Sequence, residues 1–353
     1  MPATHDQSSE TLADASGTPG AALKGHPDPL SDVLRTVRLK GALFFLVDAT
    51  SPWCVDVPHA REFADIILPS ARHVVSYHVV VEGKGLASVP GQQPVAFHAG
   101  DIIVFPHADP YLMQSASGVR PELDRAQILQ FFRDLAAGEL PFVIAEGGGK
   151  APKAKFICGF LGCDLSPFNP LFATLPRILH IRRPDGGHVD LLDQLIDLAM
   201  AEFRTPRAGG GSIRLGLSEL MFVELLRRHL ESVSADAPGW LAGLRDPAVG
   251  RALAFLHAEP ARNWTLDTLA RAAGISRSVL AQRFACCIGE PPMRYLTLWR
   301  MQLAARLLAD GATKVASIGE QIGFRSEAAF SRTFKKVTGV SPTQWRRDSV
   351  NSS

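Results

Sequence analysis

The sequence predicts an α+β protein, with an N-terminal antiparallel β barrel and accessory helices followed by a C-terminal all-α domain. Three observations lead to this fold class. Short apolar or alternating runs, separated by Gly, Pro and Asp, fill the first half of the chain. Two longer helical patterns come next. A helix-turn-helix sequence pattern then occurs twice within the last hundred residues. We therefore expect four segments, at residues 1–27, 28–183, 184–243 and 244–348.

The first segment, residues 1–27, is predicted to be a disordered tail because it is rich in small polar residues and has no apolar period. It lacks the basic start and apolar centre of a secretion signal. No apolar run in the chain is long enough to span a membrane. Five cysteines at irregular spacing form no disulfide framework. Together these features predict a cytoplasmic protein without a membrane partner.

The second segment is predicted to begin with a short helix at Pro29–Val37 and to continue as strands. The strands are short and closely spaced, which is typical of an antiparallel sandwich or barrel. The predicted strands are Ala42–Val47, Trp53–Val57, His73–Val81, Gly85–Val89, Val95–His98, Asp101–Phe105, Phe156–Phe160 and Ile178–Ile181.

The third segment holds two amphipathic helical patterns, His188–Phe203 and Ser212–Glu231. Each has a broad apolar face, and this face either packs on the β domain or pairs two subunits. Ser234–Gly243, which contains one Pro and two Gly, is predicted to be the hinge between the domains. The apolar faces comprise Leu191, Leu192, Leu195, Ile196, Leu198 and Ala199 in the first pattern, and Leu217, Leu220, Met221, Val223 and Leu225 in the second.

The fourth segment contains the repeated helix-turn-helix pattern, at Leu266–Phe284 and again at Val315–Phe334. In each copy a short helix ends at a glycine that can adopt positive φ, and a serine then caps a second helix. Such a second helix is the element that enters a DNA major groove. The side chains predicted to face inward are Val279, Leu280 and Phe284 in the first copy, and Ala329, Phe330 and Phe334 in the second.

A helix over Pro292–Ala309 is predicted to connect the two copies. Its length of roughly 27 Å suits two recognition helices that read major-groove segments about 34 Å apart. One subunit could therefore read two successive grooves on one face of the duplex.

The charge distribution agrees with a nucleic-acid partner. Residues 246–347 contain 15 Lys and Arg but only 7 Asp and Glu, a net charge near +8. The rest of the chain carries 22 basic and 28 acidic residues, so the overall charge of +2 combines a basic module with an acidic remainder. This division indicates a nucleic-acid-binding module joined to a domain of another kind.

Residues 264–347 resemble the DNA-binding domain of AraC/XylS-type transcriptional regulators. The resemblance is carried by Gly323-Phe324, by the run from Phe330 to Lys336, by Gly339-Val340-Ser341-Pro342 and by Trp345-Arg346. It implies specific binding to double-stranded promoter DNA, with bases contacted by Ser278, Ala281, Gln282, Glu327, Ala328 and Arg332. We assign Arg277, Arg283, Arg325, Lys335 and Lys336 to phosphates. The resemblance also implies a homodimer. RNA polymerase is a further partner if the protein is an activator.

Two stretches of the second segment resemble the signature motifs of cupin barrels. They are Tyr77–Gly85 and Gly100–Tyr111. The resemblance implies a sensor domain for a small-molecule effector, with His78, Glu82 and Tyr111 in the effector pocket. A metal-dependent cupin enzyme, an oxygenase or isomerase, is the alternative function. Ser76 and Tyr111 occupy two of the four positions where such an enzyme has its metal ligands, so we expect no enzyme activity.

Cys158, Cys163, His78 and His107 are a candidate zinc site, because thiolate and imidazole suit tetrahedral Zn²⁺. The alternative is core packing, since buried cysteine is a common small apolar residue. No cofactor is certain from the sequence. We expect a regulator in which an effector shifts the population of two domain arrangements and so changes promoter occupancy.

Overall fold

The computed structural model of the protein describes residues 28–69, 71–141, 143–149, 152–164, 167–182, 191–205, 207–234, 238–311 and 313–351. The predicted tail, residues 1–27, lies outside the described residues, as does the predicted boundary between residues 183 and 184. The described strands are β1 (Arg38–Thr50), β2 (Cys54–Val57), β3 (His73–Glu82), β4 (Lys84–Ser88), β5 (Val95–His98), β6 (Ile102–Phe105), β7 (Tyr111–Gln114), β8 (Val143–Glu146), β9 (Lys153–Asp164) and β10 (Leu179–Ile181).

The described helices accompany and follow these strands. They are α1 (Pro29–Thr36), α2 (Ala64–Ile67), α3 (Arg125–Ala137), α4 (Leu191–Arg204), α5 (Gly210–Ser232), α6 (Trp240–Arg245), α7 (Pro247–Ala258), α8 (Leu266–Ala272), α9 (Arg277–Ile288), α10 (Pro292–Ala309), α11 (Val315–Gln321), α12 (Glu327–Thr338) and α13 (Pro342–Asn351). The predicted α+β class is confirmed. The strand β7, the helix α3 and the strand β8 were not predicted.

The strands form two separate sheets, which corrects the predicted closed barrel. One sheet has the strand order β10-β6-β3-β9-β1-β8, and the other has the order β2-β7-β4-β5. All pairings are antiparallel except that of β1 with β8, which is parallel. The end strands β10 and β8 of the first sheet have no β-ladder partner in the second sheet, so the described strands do not close a barrel.

The six-stranded sheet is buried on both faces, and the alternation of side chains along β9 shows how. Phe156, Cys158 and Phe160 face a core shared with the second sheet and α3. Ile157 and Leu161 face a second core, which continues through α5, α6 and α7 to the first helix-turn-helix unit. One sheet therefore has the core shared with the second sheet on one side, and α5 with the core that continues to the first helix-turn-helix unit on the other.

The C-terminal part of the predicted hinge over Ser234–Gly243 packs against its surroundings. Residues 235–237 lie outside the described residues, but α6 begins at Trp240, whose side chain is fully buried. The Trp240 backbone N–H donates to the hydroxyl of Thr174 (3.1 Å), and its indole N–H donates to the hydroxyl of Tyr295 (2.9 Å). Trp240 thus joins the sensor domain to α10.

In the described residues, no helix is both long enough and apolar enough to span a membrane.

Candidate nucleic-acid interface and sensor cavity

The first helix-turn-helix unit, α8 and α9, has its capping groups at the predicted positions. Gly274 has φ +73° in the turn, and the Ser276 hydroxyl accepts from the Val279 backbone N–H at the start of α9. Leu280 and Phe284 are fully buried. Val279 was predicted to face inward, but it is 41% exposed, because only one position per turn of this short helix meets the α8 surface.

The second unit, α11 and α12, repeats this geometry. Gly323 has φ +87°, and the Ser326 hydroxyl accepts from the Ala329 backbone N–H (3.2 Å). Phe330 and Phe334 are fully buried in a core that this unit shares with the second half of α10 and that is separate from the core of the first unit. A buried stripe of two phenylalanines one turn apart leaves the opposite face of α12 in solvent.

The predicted base-contacting residues lie on the solvent faces of α9 and α12. Ala281 is half-buried, and the others are exposed: Ser278, Gln282, Glu327, Ala328 and Arg332. The two helices therefore present these side chains without any rearrangement of their own cores. Their assignment to bases stays a prediction.

The residues assigned to phosphates divide into two groups. The guanidinium of Arg283 lies 2.5 Å from the carboxylate of Asp246, which also caps α7, and Arg277 lies 3.6 Å from Asp267. The exposed side chains of Arg325, Lys335 and Lys336 have no ion-pair partner among the described residues. Lys335 and Lys336 of α12, and Arg325 before it, thus carry positive charge that no described carboxylate compensates.

Two further arginines of the basic module have structural roles that charge counting does not reveal. Arg251 donates to the carbonyl of Ala273 (2.7 and 3.0 Å) and so satisfies the end of α8. Arg300 of α10 donates to the carbonyls of Pro260 (2.7 Å) and Arg262 (2.9 Å). Burial lowers the pKa of Arg300, consistent with its place inside the module. Not all of the net charge of this module is therefore available to DNA.

The helix α10 connects the two units by contributing to both cores. Its first half places Tyr295 and Trp299 in the core of the first unit, and its second half places Met301 and Leu308 in the core of the second. A continuous helix fixed at both ends holds α9 and α12 at a defined separation.

A cavity lies in the core between the two sheets, under α3. Its wall is mainly aromatic and aliphatic, with contributions from β1, β2, β3, β7, β8, β9 and α3. The polar side chains in this wall belong to His78, Tyr111, Cys158 and Glu146. The aromatic residues are Phe45, Trp53, Tyr111, Phe131, Phe132, Phe156 and Phe160.

Three of the polar groups form a buried chain at the cavity wall. His78 and Cys158 are direct cross-strand partners, and Nδ1 of His78 lies 3.0 Å from Sγ of Cys158. Nε2 of His78 lies 2.9 Å from the hydroxyl of Tyr111. Burial lowers the pKa of His78 to about 3, and it raises the pKa of the Cys158 thiol and of the Tyr111 phenol. All three groups are therefore neutral, and a neutral imidazole offers one donor and one acceptor to its two neighbours.

Comparison with known proteins places this architecture in a family. A family described as Cupin matches residues 28–231, and a helix-turn-helix domain family matches residues 269–348. A putative AraC-like transcription regulator of Streptomyces lividans is 32% identical over 323 residues, which span 91% of this chain and 98% of that protein. The chain belongs to the AraC-like transcription regulators.

Two other comparisons are with a second relative of similar length and with a solved DNA-binding domain. A putative AraC-like transcription regulator of Streptomyces antibioticus is 30% identical over 325 residues, 91% of this chain and 98% of that protein. The DNA-binding domain of AdpA, a global transcriptional factor solved in complex with a target DNA, is 29% identical, with a TM-score of 0.28. It covers 29% of the regulator and 92% of the AdpA chain.

The four residues of the candidate zinc site do not converge in this regulator. Cys158 faces the cavity, whereas Cys163 lies in the core on the other face of the sheet. The reason is the two-residue period of a strand, which puts residues five apart on opposite faces. His107 donates from Nε2 to the carbonyl of Leu175 (2.8 Å). The described residues contain no group of three or more His, Cys, Asp or Glu arranged to hold a metal ion.

The predicted effector-pocket residues are only partly together. His78 and Tyr111 line the cavity and contact each other, but Glu82 lies at the exposed end of β3. Its carboxylate lies 3.4 Å from Nζ of Lys155. His78 and Glu82 are four residues apart, so a regular strand would place both side chains on the same face of the sheet. A register shift between Val80 and Glu82 interrupts the pairing of β3 with β9, and Glu82 therefore does not share the face of His78.

Sequence analysis missed two cavity residues, Glu146 of β8 and Trp53 before β2. Glu146 is half-buried, and burial together with the nearby carboxylate of Glu122 raises its pKa to about 7. Trp53 is 2% exposed, and its indole N–H has no hydrogen-bond partner. No sequence signal marks either residue, because β8 has the sequence Val-Ile-Ala-Glu without polar alternation and nothing local to Trp53 shows that its N–H is unpaired.

Contacts also connect the sensor domain to the DNA-binding units. The backbone N–H of Phe168 donates to the side-chain carbonyl of Gln302 in α10 (3.0 Å). Nδ1 of His257 in α7 lies 3.5 Å from the carboxylate of Asp32 in α1, and Nε2 of His257 lies 2.8 Å from the hydroxyl of Tyr295. The helix α1 of the sensor domain thus packs directly against the DNA-binding module.

Proposed function

We propose that this regulator binds promoter DNA with α9 and α12 in two successive major-groove segments. The observation that carries the proposal is the pair of capped helices with buried inner faces and exposed outer faces, held apart by α10. Ser278, Gln282, Glu327 and Arg332 are then in position to meet base edges. Lys335 and Lys336 contact phosphates, which sets the register without reading sequence.

Fluorescence anisotropy tests this proposal. The probe is the DNA upstream of the regulator's own gene, compared with a scrambled duplex of equal length at physiological salt. A preference of about a thousandfold or more supports sequence-specific binding. Equal, weak and steeply salt-dependent binding to both duplexes means that only charge is read, and it contradicts the proposal for that DNA.

We further propose that the cavity between the two sheets receives an apolar effector. Its wall is dominated by aromatic and aliphatic side chains with a few polar groups, which is the usual composition of small-molecule sites. The unpaired indole N–H of Trp53 supports a ligand with a hydrogen-bond acceptor, because a buried donor without a partner is costly.

The effector signal would pass through the six-stranded sheet. His78 and Cys158 face the cavity, while the adjacent residues Tyr77 and Ile157 face the core shared with α5 and the first helix-turn-helix unit. A ligand that moves β3 or β9 therefore acts on both cores, and the close packing of the second core couples them. The expected result is a shift between two arrangements of the domains, measured as a change in DNA affinity on addition of effector.

A homodimer formed through α4 and α5 is the assembly that we propose. Each helix buries one face inside the subunit but leaves two large aliphatic side chains exposed, Leu191 and Leu198 on α4, and Ile213 and Leu220 on α5. The members of each pair are seven residues apart, which places them on one face of their helix. Exposed apolar stripes of this kind mark interaction surfaces.

The remaining parts of the proposal follow from the family. The regulator acts in the cytoplasm without catalysing a reaction, and it contacts RNA polymerase where it activates transcription. The neutral chain of Cys158, His78 and Tyr111 supports a binding role for the cavity, since none of the three is an activated nucleophile or a charged acid.

A further inference from the structure

Glu146 is the one acidic side chain in the cavity wall among the described residues. It lies in the last position of β8, opposite Ala49 of β1, and its backbone carbonyl is near the hydroxyl of Thr50 (3.5 Å). Its carboxylate makes no hydrogen bond or ion pair with any other described residue, although the residue is half-buried. A carboxylate in that position has lost part of its hydration without gaining a partner from the chain.

The charged residues described near Glu146 do not neutralise the negative charge of its carboxylate. The carboxylate of Glu122 raises the pKa of Glu146 further, and no basic group among the described residues lowers it. Burial raises the pKa of Cys54 to about 11, and the carboxylates of Asp56 and Glu146 raise it further. The described charged groups that act on Glu146 and on Cys54 are therefore all acidic.

The cavity wall next to this carboxylate is aromatic. Trp53 and Phe156 meet edge to face with ring centroids 5.2 Å apart, and Phe131 and Phe132 of α3 line the same space. The faces of aromatic rings attract cations, most strongly when the site excludes water. An aromatic wall with one unpaired carboxylate is complementary to an apolar molecule that carries a positive charge.

We propose that the effector cavity binds a hydrophobic cation, with the carboxylate of Glu146 as its counter-ion and the aromatic wall around its apolar part. This inference rests on the proposed function of the cavity as an effector site. The N–H of Trp53, which is almost fully buried and has no hydrogen-bond partner among the described residues, is a second and independent feature of this wall that a hydrogen-bond acceptor on the same molecule would satisfy.

Neutral and anionic ligands fit the same cavity less well. A neutral apolar molecule leaves Glu146 without a partner, or requires it to stay protonated. An anionic amphiphile brings a second negative charge toward the carboxylate of Glu146. The charge of the ligand head group is thus the property that separates these three classes.

Isothermal titration calorimetry of the full chain with three probes of equal chain length tests the inference. The probes are decyltrimethylammonium, decanol and decyl sulfate, all below their critical micelle concentrations. We expect decyltrimethylammonium to bind most tightly and decyl sulfate most weakly. In Glu146→Gln, which keeps the size of the side chain, the affinity for decyltrimethylammonium should fall by about tenfold or more, while that for decanol should change by less than about twofold.

Glu82→Gln is the matched control, because Glu82 belongs to the same domain but is exposed and paired with Lys155 outside the cavity. It should leave the affinity for all three probes unchanged. Retained decanol binding by Glu146→Gln shows that this variant is folded.

The outcomes separate the inference from the proposed function on which it rests. Tighter or equal binding of decanol and decyl sulfate, or unchanged cation binding by Glu146→Gln, overturns the cationic ligand and leaves an apolar effector site in place. Failure of all three probes to bind contradicts the effector site itself, and the cationic ligand with it.

Discussion

Specificity at the level of single residues is expected to depend on Arg332, an exposed residue on the outer face of α12. Arg332→Ala should cost about 1–3 kcal/mol on a matched DNA site and relax the preference at one base pair. Lys336→Ala is the comparison: it should weaken binding to every sequence about equally and reduce the salt dependence by about one charge. Anisotropy titrations with single-base variants of the operator measure both effects. An equal loss on all sequences for Arg332→Ala would show that Arg332 contacts a phosphate.

His78 is expected to make the sensor domain sensitive to acid. Burial lowers its pKa to about 3, far below that of a histidine in the unfolded chain. Between these two pKa values the unfolded state binds one more proton than the folded state. The free energy of unfolding therefore falls as pH decreases below about 6.5, by about 1.4 kcal/mol per pH unit from this residue.

The variant His78→Gln cannot take up that proton, so its pH profile should be flatter by that amount between pH 4 and 6. Urea unfolding at several pH values measures the difference. His73, His229 and His257 also have a pKa lowered by burial and act in the same direction. They remain in both proteins, so the comparison isolates His78. Parallel profiles would mean that His78 is protonated in the folded state.

The turn between α11 and α12 should depend more strongly on its glycine than the turn at the end of α12 does. Gly323 has φ +87°, and a Cβ atom there would lie 2.3 Å from the carbonyl oxygen of Ala261. Gly339, at the end of α12, has a similar φ of +84° but open space around it. Ala at either position costs about 1 kcal/mol through the backbone conformation, and Ala at position 323 must also displace the backbone of residue 261.

Thermal unfolding should therefore show a clearly larger loss for Gly323→Ala than for Gly339→Ala, together with weaker DNA binding because α12 loses its orientation. Equal losses would show that the loop at Ala261 yields without cost.

The helices α4 and α5 give a prediction about assembly. Leu198 and Leu220 are 57% and 55% exposed on neighbouring helices, so Leu198→Asp and Leu220→Asp should not disturb the subunit core. Each should shift a dimer toward monomer, because a carboxylate in an apolar interface loses its hydration. Light scattering after size exclusion measures the mass. Leu123→Asp, at a 37% exposed position before α3, is the control and should leave the mass unchanged. A wild-type monomer would remove the basis of this dimer.

The elements differ in how far the sequence predicts them, for physical reasons. The helix-turn-helix units were predictable because their signals are local: a glycine with positive φ, a serine cap and two buried apolar residues one turn apart. The helix α3 was missed although its capping box, Asp124 with Gln127, and its terminal Gly138 are also local. The pairing of β8 with β1 joins segments about a hundred residues apart, and no local pattern reports it.

The candidate sites follow the same distinction. The exposed residues of α9 and α12 can be read from helical periodicity, except for Val279. The cavity could not be predicted, because Glu146 and Trp53 become neighbours of Phe156 only when β1, β8 and β9 are assembled. The separation of Cys158 from Cys163 was predictable in principle, since a spacing of five residues in one strand excludes a shared face.

At the scale of the whole molecule, the cores do not follow the two-domain description. One continuous core joins the outer face of the six-stranded sheet to α5, α6, α7 and the first helix-turn-helix unit. The second unit has a separate core around Met301, Ile318, Phe330 and Phe334. Units that share a core tend to open together, whereas units with separate cores open independently. The sensor domain and the first unit should therefore be more strongly coupled to each other than either is to the second unit.

Two large-to-small substitutions test this coupling by amide hydrogen exchange. Trp240 and Phe334 are both fully buried, in the first and second core respectively, and truncation to Ala costs about 3–5 kcal/mol at such positions. Trp240→Ala should speed exchange in β3 and β9 as well as in α9, because all three pack on the same core. Phe334→Ala should speed exchange in α11 and α12 and leave the strands unchanged. Faster exchange confined to α6 and α10 in Trp240→Ala would contradict a shared core, and it would remove the route by which an effector in the cavity reaches the DNA-binding helices.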